Sequence, residues 1–125
     1  MSISRGLADL PGNVCTPAYL AEAVQNAAAG MTTVEVEVLD EHQIEELGMG
    51  AFLSVAKGST VPPRFIAIRY RGTNAALPPV AVVGMGITFD TGGISLMPAA
   101  NMADMTYDMS GAAVVIGTVM AAARA

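Results

Sequence analysis

The chain has 125 residues, of which 53% are hydrophobic and only 14% charged, with a mean hydropathy of +0.51. A disordered chain needs the opposite balance, so these figures predict a folded unit with a large core. The 11 acids against 6 bases give a net charge of -5. No basic run is present, and the clustered cations needed to neutralise a phosphate backbone are missing, which excludes nucleic acid as a partner class.

Residues 1–8 lack the apolar stretch of a signal peptide and read as a flexible lead-in to one domain that fills 1–125. Cys15 is the single cysteine and can form no internal disulfide, which favours a reducing compartment. It reads as a packed small hydrophobe rather than a nucleophile, because the only histidine, His42, lies in an acidic run. Thr16-Pro17 predicts a helix start, a capping side chain followed by proline at the first helical position. Tyr19, Leu20, Ala23, Val24 and Ala27 then form an apolar stripe, and Gly30 ends the helix. Thr33 to Leu39 alternates, which predicts a strand with one wet face at a sheet edge. Asp40 caps a short helix carrying Ile44 and Leu47 and closed by Gly48. Ala51 to Val55 is a second short helical piece, and a loop runs through Pro62-Pro63 to the strand Arg64–Arg71.

After a turn over 72–79, Val80 to Val83 is apolar on both faces and predicts a central strand. Gly84 to Met109 has little periodicity and reads as a functional loop. Gly111 to Ala123 predicts an apolar helix buried nearly all round. It is shorter than the roughly 20 residues that span a bilayer, so a soluble, cytoplasmic protein with no membrane partner is expected. The order of elements gives an α/β fold built on a layered sheet. A crossover helix at the end of a parallel sheet delivers the chain to another strand. Here the helix is followed by Ala125, so the sequence reads as the first half of a larger domain.

In open α/β sheets ligands bind beyond the carboxyl ends of the strands. Asp90 lies there, followed by Thr91-Gly92-Gly93, and suits either a ligand or an Asx turn with the glycines. Asp108 stands before the apolar helix and suits either a ligand or a helix cap and dipole partner. Asp104 is expected to face solvent. Gly84-Met-Gly86 lacks the third glycine and the following helix of a dinucleotide fingerprint, and no phosphate loop, paired-histidine zinc motif or nucleophile elbow is present. The methionines suit core and pocket filling.

Val83-Gly-Met-Gly-Ile-Thr-Phe-Asp-Thr-Gly-Gly-Ile-Ser-Leu-Met-Pro98, followed by Asn101-Met-Ala-Asp-Met-Thr-Tyr-Asp-Met-Ser-Gly-Ala-Ala113, resembles the leucyl aminopeptidase family, peptidase family M17. Asp9-Leu-Pro-Gly-Asn13 and Thr16-Pro17 match the start of that family's catalytic domain, so the resemblance runs from about Asp9 to the C-terminus. It implies a truncated, three-layer α/β/α fold of the zinc-exopeptidase type with a mixed, largely parallel sheet. It also implies two divalent ions (zinc, manganese or magnesium) that polarise a scissile carbonyl and activate a bridging water. By resemblance Asp90 would bridge both ions, Asp108 would bind one, and Met105 would line the pocket for the substrate's N-terminal side chain.

The same resemblance marks departures. Met85 occupies the place of a lysine whose amine ligates metal, and Met97 that of a second lysine that polarises the carbonyl. Thr106 replaces a residue that is usually basic. The family's Asn-Thr-Asp-Ala-Glu-Gly-Arg segment, with further carboxylates and an arginine, lies downstream of the residues present. A thioether is a soft, weak ligand with no charge, so the chain is expected to be catalytically silent with no bound cofactor. Losing two buried ammonium groups would stabilise a fragment that folds without metal, as either an engineered structural domain or a degenerate pseudo-enzyme. The alternatives are an active metallo-aminopeptidase completed by another chain, and a binding module with weak metal affinity through Asp90 and Asp108. An exposed sheet edge or apolar face predicts a homo-oligomer, most simply a symmetric dimer.

Overall fold

The computed structural model describes residues 3–72 and 77–125. Helix α1 (Ile3–Ala8) leads to α2 (Pro17–Ala28), strand β1 (Val34–Leu39), the short helices α3 (Glu41–Glu46) and α4 (Gly50–Ala56), and strand β2 (Phe65–Tyr70). After an irregular stretch the chain closes with α5 (Ala99–Met102), a 3-10 helix (Ala103–Met109) and α6 (Ser110–Ala122).

The first half follows its local signals. The Thr16 hydroxyl accepts the Tyr19 N–H at 3.2 Å and starts α2, Pro17 takes the first helical position, and Leu20, Ala21, Val24 and Ala28 are buried. Tyr19, expected in the apolar stripe, is exposed. Gly30 ends the helix region at φ +80, a conformation open to glycine at little cost. Asp40 and Gln43 form a reciprocal capping box on α3. Ile44 is buried, whereas Leu47 of the same expected pair faces solvent.

β1 and β2 pair antiparallel, with Val36 opposite Ile68, Val38 opposite Ile66 and Glu35 opposite Arg69. Alternation sends Val34, Val36, Ile66 and Ile68 toward the core. The opposite face carries Arg69, 2.7 Å from Glu37 and 3.5 Å from Glu35, with Arg71 3.4 Å from Glu35. At the other end of that face Phe65 meets Phe52 of α4 edge to face, ring centroids 5.8 Å apart.

The core is made by helices on the apolar side of this strand pair: Leu7 of α1, Leu20 and Val24 of α2, Met109, and Ala113, Ile116 and Met120 of α6, together with Cys15. α1 crosses α6 at Gly117, where any Cβ would strike the Ser4 hydroxyl. Residues 3–8, expected as a flexible lead-in, are therefore a packed helix with Leu7 buried.

Other expectations are corrected too. Val80–Val83 forms no strand: the segment pairs with nothing among the described residues, and Val80 and Val83 are 89% and 92% exposed. Its apolar character marks a surface awaiting cover, because a central strand needs a ladder on both edges. The described sheet is a two-stranded antiparallel pair, and these residues do not build the expected three-layer, largely parallel sheet. Part of the expected 72–79 turn, residues 73–76, lies outside the described residues. α6 is buried on one face only, with Val114 57% exposed. Finally, Ala99–Met109, expected as loop, is helical and runs into α6, giving a continuous stretch Ala99–Ala122 of 24 residues. By length and apolarity that stretch would suffice to cross a membrane, but Met109, Ala113, Ile116 and Met120 within it form the protein core.

Candidate functional site

The loop from Gly84 to Met97 is held on α6 by close backbone contacts and farther along by the Phe89 and Asp90 side chains. The Met85 carbonyl accepts the Ala112 N–H at 2.8 Å. A Cβ on Gly84 would collide with the Gly111 carbonyl oxygen and come within 2.8 Å of the Ala112 nitrogen. A Cβ on Gly111 would sit 2.9 Å from the Met85 nitrogen. The two glycines thus let the loop lie directly on the first turn of α6. Farther along, Phe89 packs on Gly12, whose added Cβ would fall 2.5 Å from the Phe89 Cβ.

Asp90 sits at the turn of this loop. Its Oδ1 accepts the Gly92 N–H at 2.7 Å, which is the Asx turn open to it from sequence. Gly92 at φ +92 and Gly93 at φ +62 complete the bend, and the Met97 N–H donates to the Thr91 carbonyl at 2.8 Å. The Asp90 N–H reaches the Met105 carbonyl at 3.5 Å, linking the loop to the 3-10 helix.

Three residues per turn in a 3-10 helix set Asp108 on the same edge as Met105. Backbone contacts therefore tie the Asp90–Met97 loop to the 3-10 helix that carries Met105 and Asp108, with Met85 anchored on the first turn of α6. The cap position of α6 is Met109, which makes no side-chain capping bond, so Asp108 does not cap the helix. It lies within the continuous helical stretch, where the 3-10 turn runs into α6. Met97, Met105 and Asp108 are half-buried, Asp104 is exposed as expected, and Met85 is 52% exposed.

These residues do not fit a pair of divalent ions. Among the described residues no three His, Cys, Asp or Glu side chains converge, one Asp90 oxygen is already committed to Gly92, and the neighbouring thioethers are weak ligands for hard or borderline ions. Cys15 offers no nucleophile: burial pushes its thiol up and keeps it neutral. His42 stands 3.6 Å from Glu46 on the exposed side of α3.

Sequence reasoning missed the pairing of Gly84 with Gly111 and of Gly12 with Phe89. Each pair joins segments distant in sequence, so no periodicity could reveal it. It also missed a shallow hollow of about 500 Å³ lined by Asp40, Glu41, His42, Glu45, Lys57 and Arg64 among others. That hollow shares no residue with the Asp90 loop.

Comparison with known proteins covers nearly the whole chain, this loop included. The family model described as the cytosol aminopeptidase family, catalytic domain, matches residues 2–125. A "Probable cytosol aminopeptidase" of Azoarcus sp. (strain BH72) is 55% identical over 124 residues, covering 99% of this chain and 25% of the relative. One of the same description from Bordetella avium (strain 197N) is 53% identical, covering 99% of this chain and 26% of the relative. The chain thus spans about a quarter of the length of the curated relatives it matches. Among solved structures, the bottromycin maturation enzyme BotP in complex with Mn superimposes with a TM-score of 0.84 at 30% identity, over 98% of this chain and 26% of that one.

Proposed function

The chain belongs to the cytosol aminopeptidase family, peptidase family M17, and from that premise we propose that it is a catalytically silent segment of such a catalytic domain. In this reading Asp90 and Asp108 are the carboxylates this segment contributes to the family's divalent-metal centre, and Met105 lines the pocket for the substrate's N-terminal side chain. The Mn-bound structural relative supports divalent-metal use by the family. Relatives described as cytosol aminopeptidases support a cytoplasmic setting. The three-layer, largely parallel sheet belongs to this reading as well: it assembles once Val80–Val83 gains strand neighbours.

The observation that carries the silent reading is the chemistry around Asp90. Met85 is fixed on α6 and Met97 on the Asp90 turn, each through its backbone, where the family resemblance expects amines. Neither thioether can neutralise charge developing on a carbonyl oxygen. A single such donor is worth about 3 to 4 kcal/mol in a transition state, so its loss costs about two to three orders of magnitude in rate. The residues present do not hold two ions, and no reaction step follows from them alone.

The test is hydrolysis of leucyl-p-nitroanilide by the purified chain with manganese or zinc added, together with calorimetric titration by manganese. No turnover above blank and no heat at millimolar metal are expected. Turnover would establish the alternative, an active metallo-aminopeptidase assembled from more than one chain. Heat without turnover would establish a metal-binding module through Asp90 and Asp108.

A further inference from the structure

Among the described residues the glycines of positive φ are Gly30, Gly48, Gly92 and Gly93, and Gly12 is not one of them. The backbone at Gly12 therefore does not require glycine; the space around it does. An added Cβ would stand 2.5 Å from the Phe89 Cβ and 2.9 Å from its Cγ. A ring can turn away from a methyl group by rotating about χ1, but a Cβ moves only with its own backbone. The backbone of Phe89 leads straight into Asp90.

The turn that carries Gly12 is fixed on both flanks. The Pro11 carbonyl accepts the Val14 and Cys15 N–H groups, each at 2.9 Å. Leu10 packs against the core on one side, and Cys15 is buried in it on the other. Phe89 is 41% exposed, so burial alone does not hold it. Asp90 has two further ties, the Gly92 N–H to its Oδ1 at 2.7 Å and its own N–H to the Met105 carbonyl at 3.5 Å. The first is local to the turn and the second is at the limit of a hydrogen bond, so neither fixes the turn firmly against the rest of the fold.

We infer that Gly12 is a positioning residue for Asp90: the seat it leaves for Phe89 sets where the Asp90 carboxylate stands relative to the 3-10 helix that carries Met105 and Asp108. This rests on the reading of Asp90 as a carboxylate of the metal centre. The Pro11-Gly12-Asn13 turn, within the segment that matches the start of the family's catalytic domain, thereby takes a part in the site from far away in sequence. A larger side chain at position 12 displaces Phe89, and Asp90 with it.

The experiment follows the Asp90 turn by NMR, through amide exchange at Gly92 and the carboxyl carbon signal of Asp90, in the unaltered chain and in Gly12→Ala, Phe89→Gly and the double variant. Gly12→Ala should speed exchange at Gly92 at least about tenfold and move the Asp90 signal. Phe89→Gly removes the atom that the new methyl group meets, so the double variant should exchange no faster than Phe89→Gly alone. Phe89→Gly should itself speed exchange at Gly92, which keeps the test open if Gly12→Ala does not fold. Thr16→Ala, which loses a helix cap without placing an atom beside Phe89, should leave the Asp90 signal where it is. An Asp90 signal unmoved in Gly12→Ala overturns the inference, as does a Gly92 amide indifferent to Phe89→Gly. So do effects of Gly12→Ala that persist undiminished beside Phe89→Gly, or an equal response to Thr16→Ala. Each measurement is made on the metal-free chain, so its outcome is independent of the manganese titration that tests Asp90 as a ligand.

Discussion

The strand pair with its capped helices and the loop over Asp90 reach order by different routes. From Thr16 to Tyr70, nearly every turn of the chain is fixed by something within four residues. Thr16 caps α2, Asp40 and Gln43 cap α3, Gly30 and Gly48 reverse the backbone, and strict alternation sorts Val36 from Glu37. From Gly84 to Met97, order comes from contacts with α6, Gly12 and the 3-10 helix. The first region carries its instructions locally and turns one apolar face, with Leu20, Val24 and Ile44, to the interior while Leu47 and Val55 stay exposed. The second borrows its shape from distant backbone and leaves its apolar side chains open. A loop held in this way can keep its path while its side chains vary.

Substitutions in the core should expose this contrast most sharply. Met109 is buried and joins the 3-10 helix to α6 within the shared core. Met109→Ala should destabilise by about 2 to 5 kcal/mol, through lost burial and the cavity left behind. Val83→Ala, at an exposed site, should move the stability of the isolated monomer by no more than about 0.5 kcal/mol. Urea unfolding of both variants at low concentration checks the pair. Equal losses would show that the 80–83 segment is packed and would erase the distinction drawn here.

Next in size is Gly84→Ala. The obstacle to its methyl group is the backbone of Gly111 and Ala112, which cannot swing aside as a side chain would. The expected cost is about 1 to 3 kcal/mol, with amide exchange rising at Ala112, whose partner is the Met85 carbonyl. Gly93→Ala meets nothing nearby and carries only the strain of its φ of +62, so it should cost less. An order of costs reversed between these two would mean that the loop does not rest on α6.

The same contrast explains what was legible in the sequence. Thr16, Asp40, Gly30 and the alternation in β1 each act over a few residues, so reading them placed the first two strands and the helices around them. The motif around Asp90 was legible by resemblance, and the family match bears out that recognition. The strand expected at Val80–Val83 failed because an apolar run reports only that cover is wanted and cannot say whether a ladder is present. The helix Ala99–Met109 was missed because Pro98, the two aspartates and the weak periodicity resemble loop, while its order comes from continuity with α6. Met85, Met97 and Met105 were singled out by position in the motif. The glycine contacts that hold their backbones belong to the tertiary structure.

The smallest effect tests whether the first region is as local as it looks. Thr16→Ala removes the hydroxyl that accepts the Tyr19 N–H and leaves one donor of the first turn to solvent. The expected loss is about 1 kcal/mol, and Thr16→Asp should recover most of it because aspartate is an equally good cap. Thermal unfolding measures both. α2 packs on β1 and α6, and the Asp90 loop reaches the approach to α2 only through Phe89 on Gly12; if the cap frays locally, amide exchange at Gly92 and Met97 should stay unchanged in Thr16→Ala. If exchange there rises in step with the loss of stability, cap and loop open as one cooperative unit, and the two regions differ in how they are ordered but not in how they come apart.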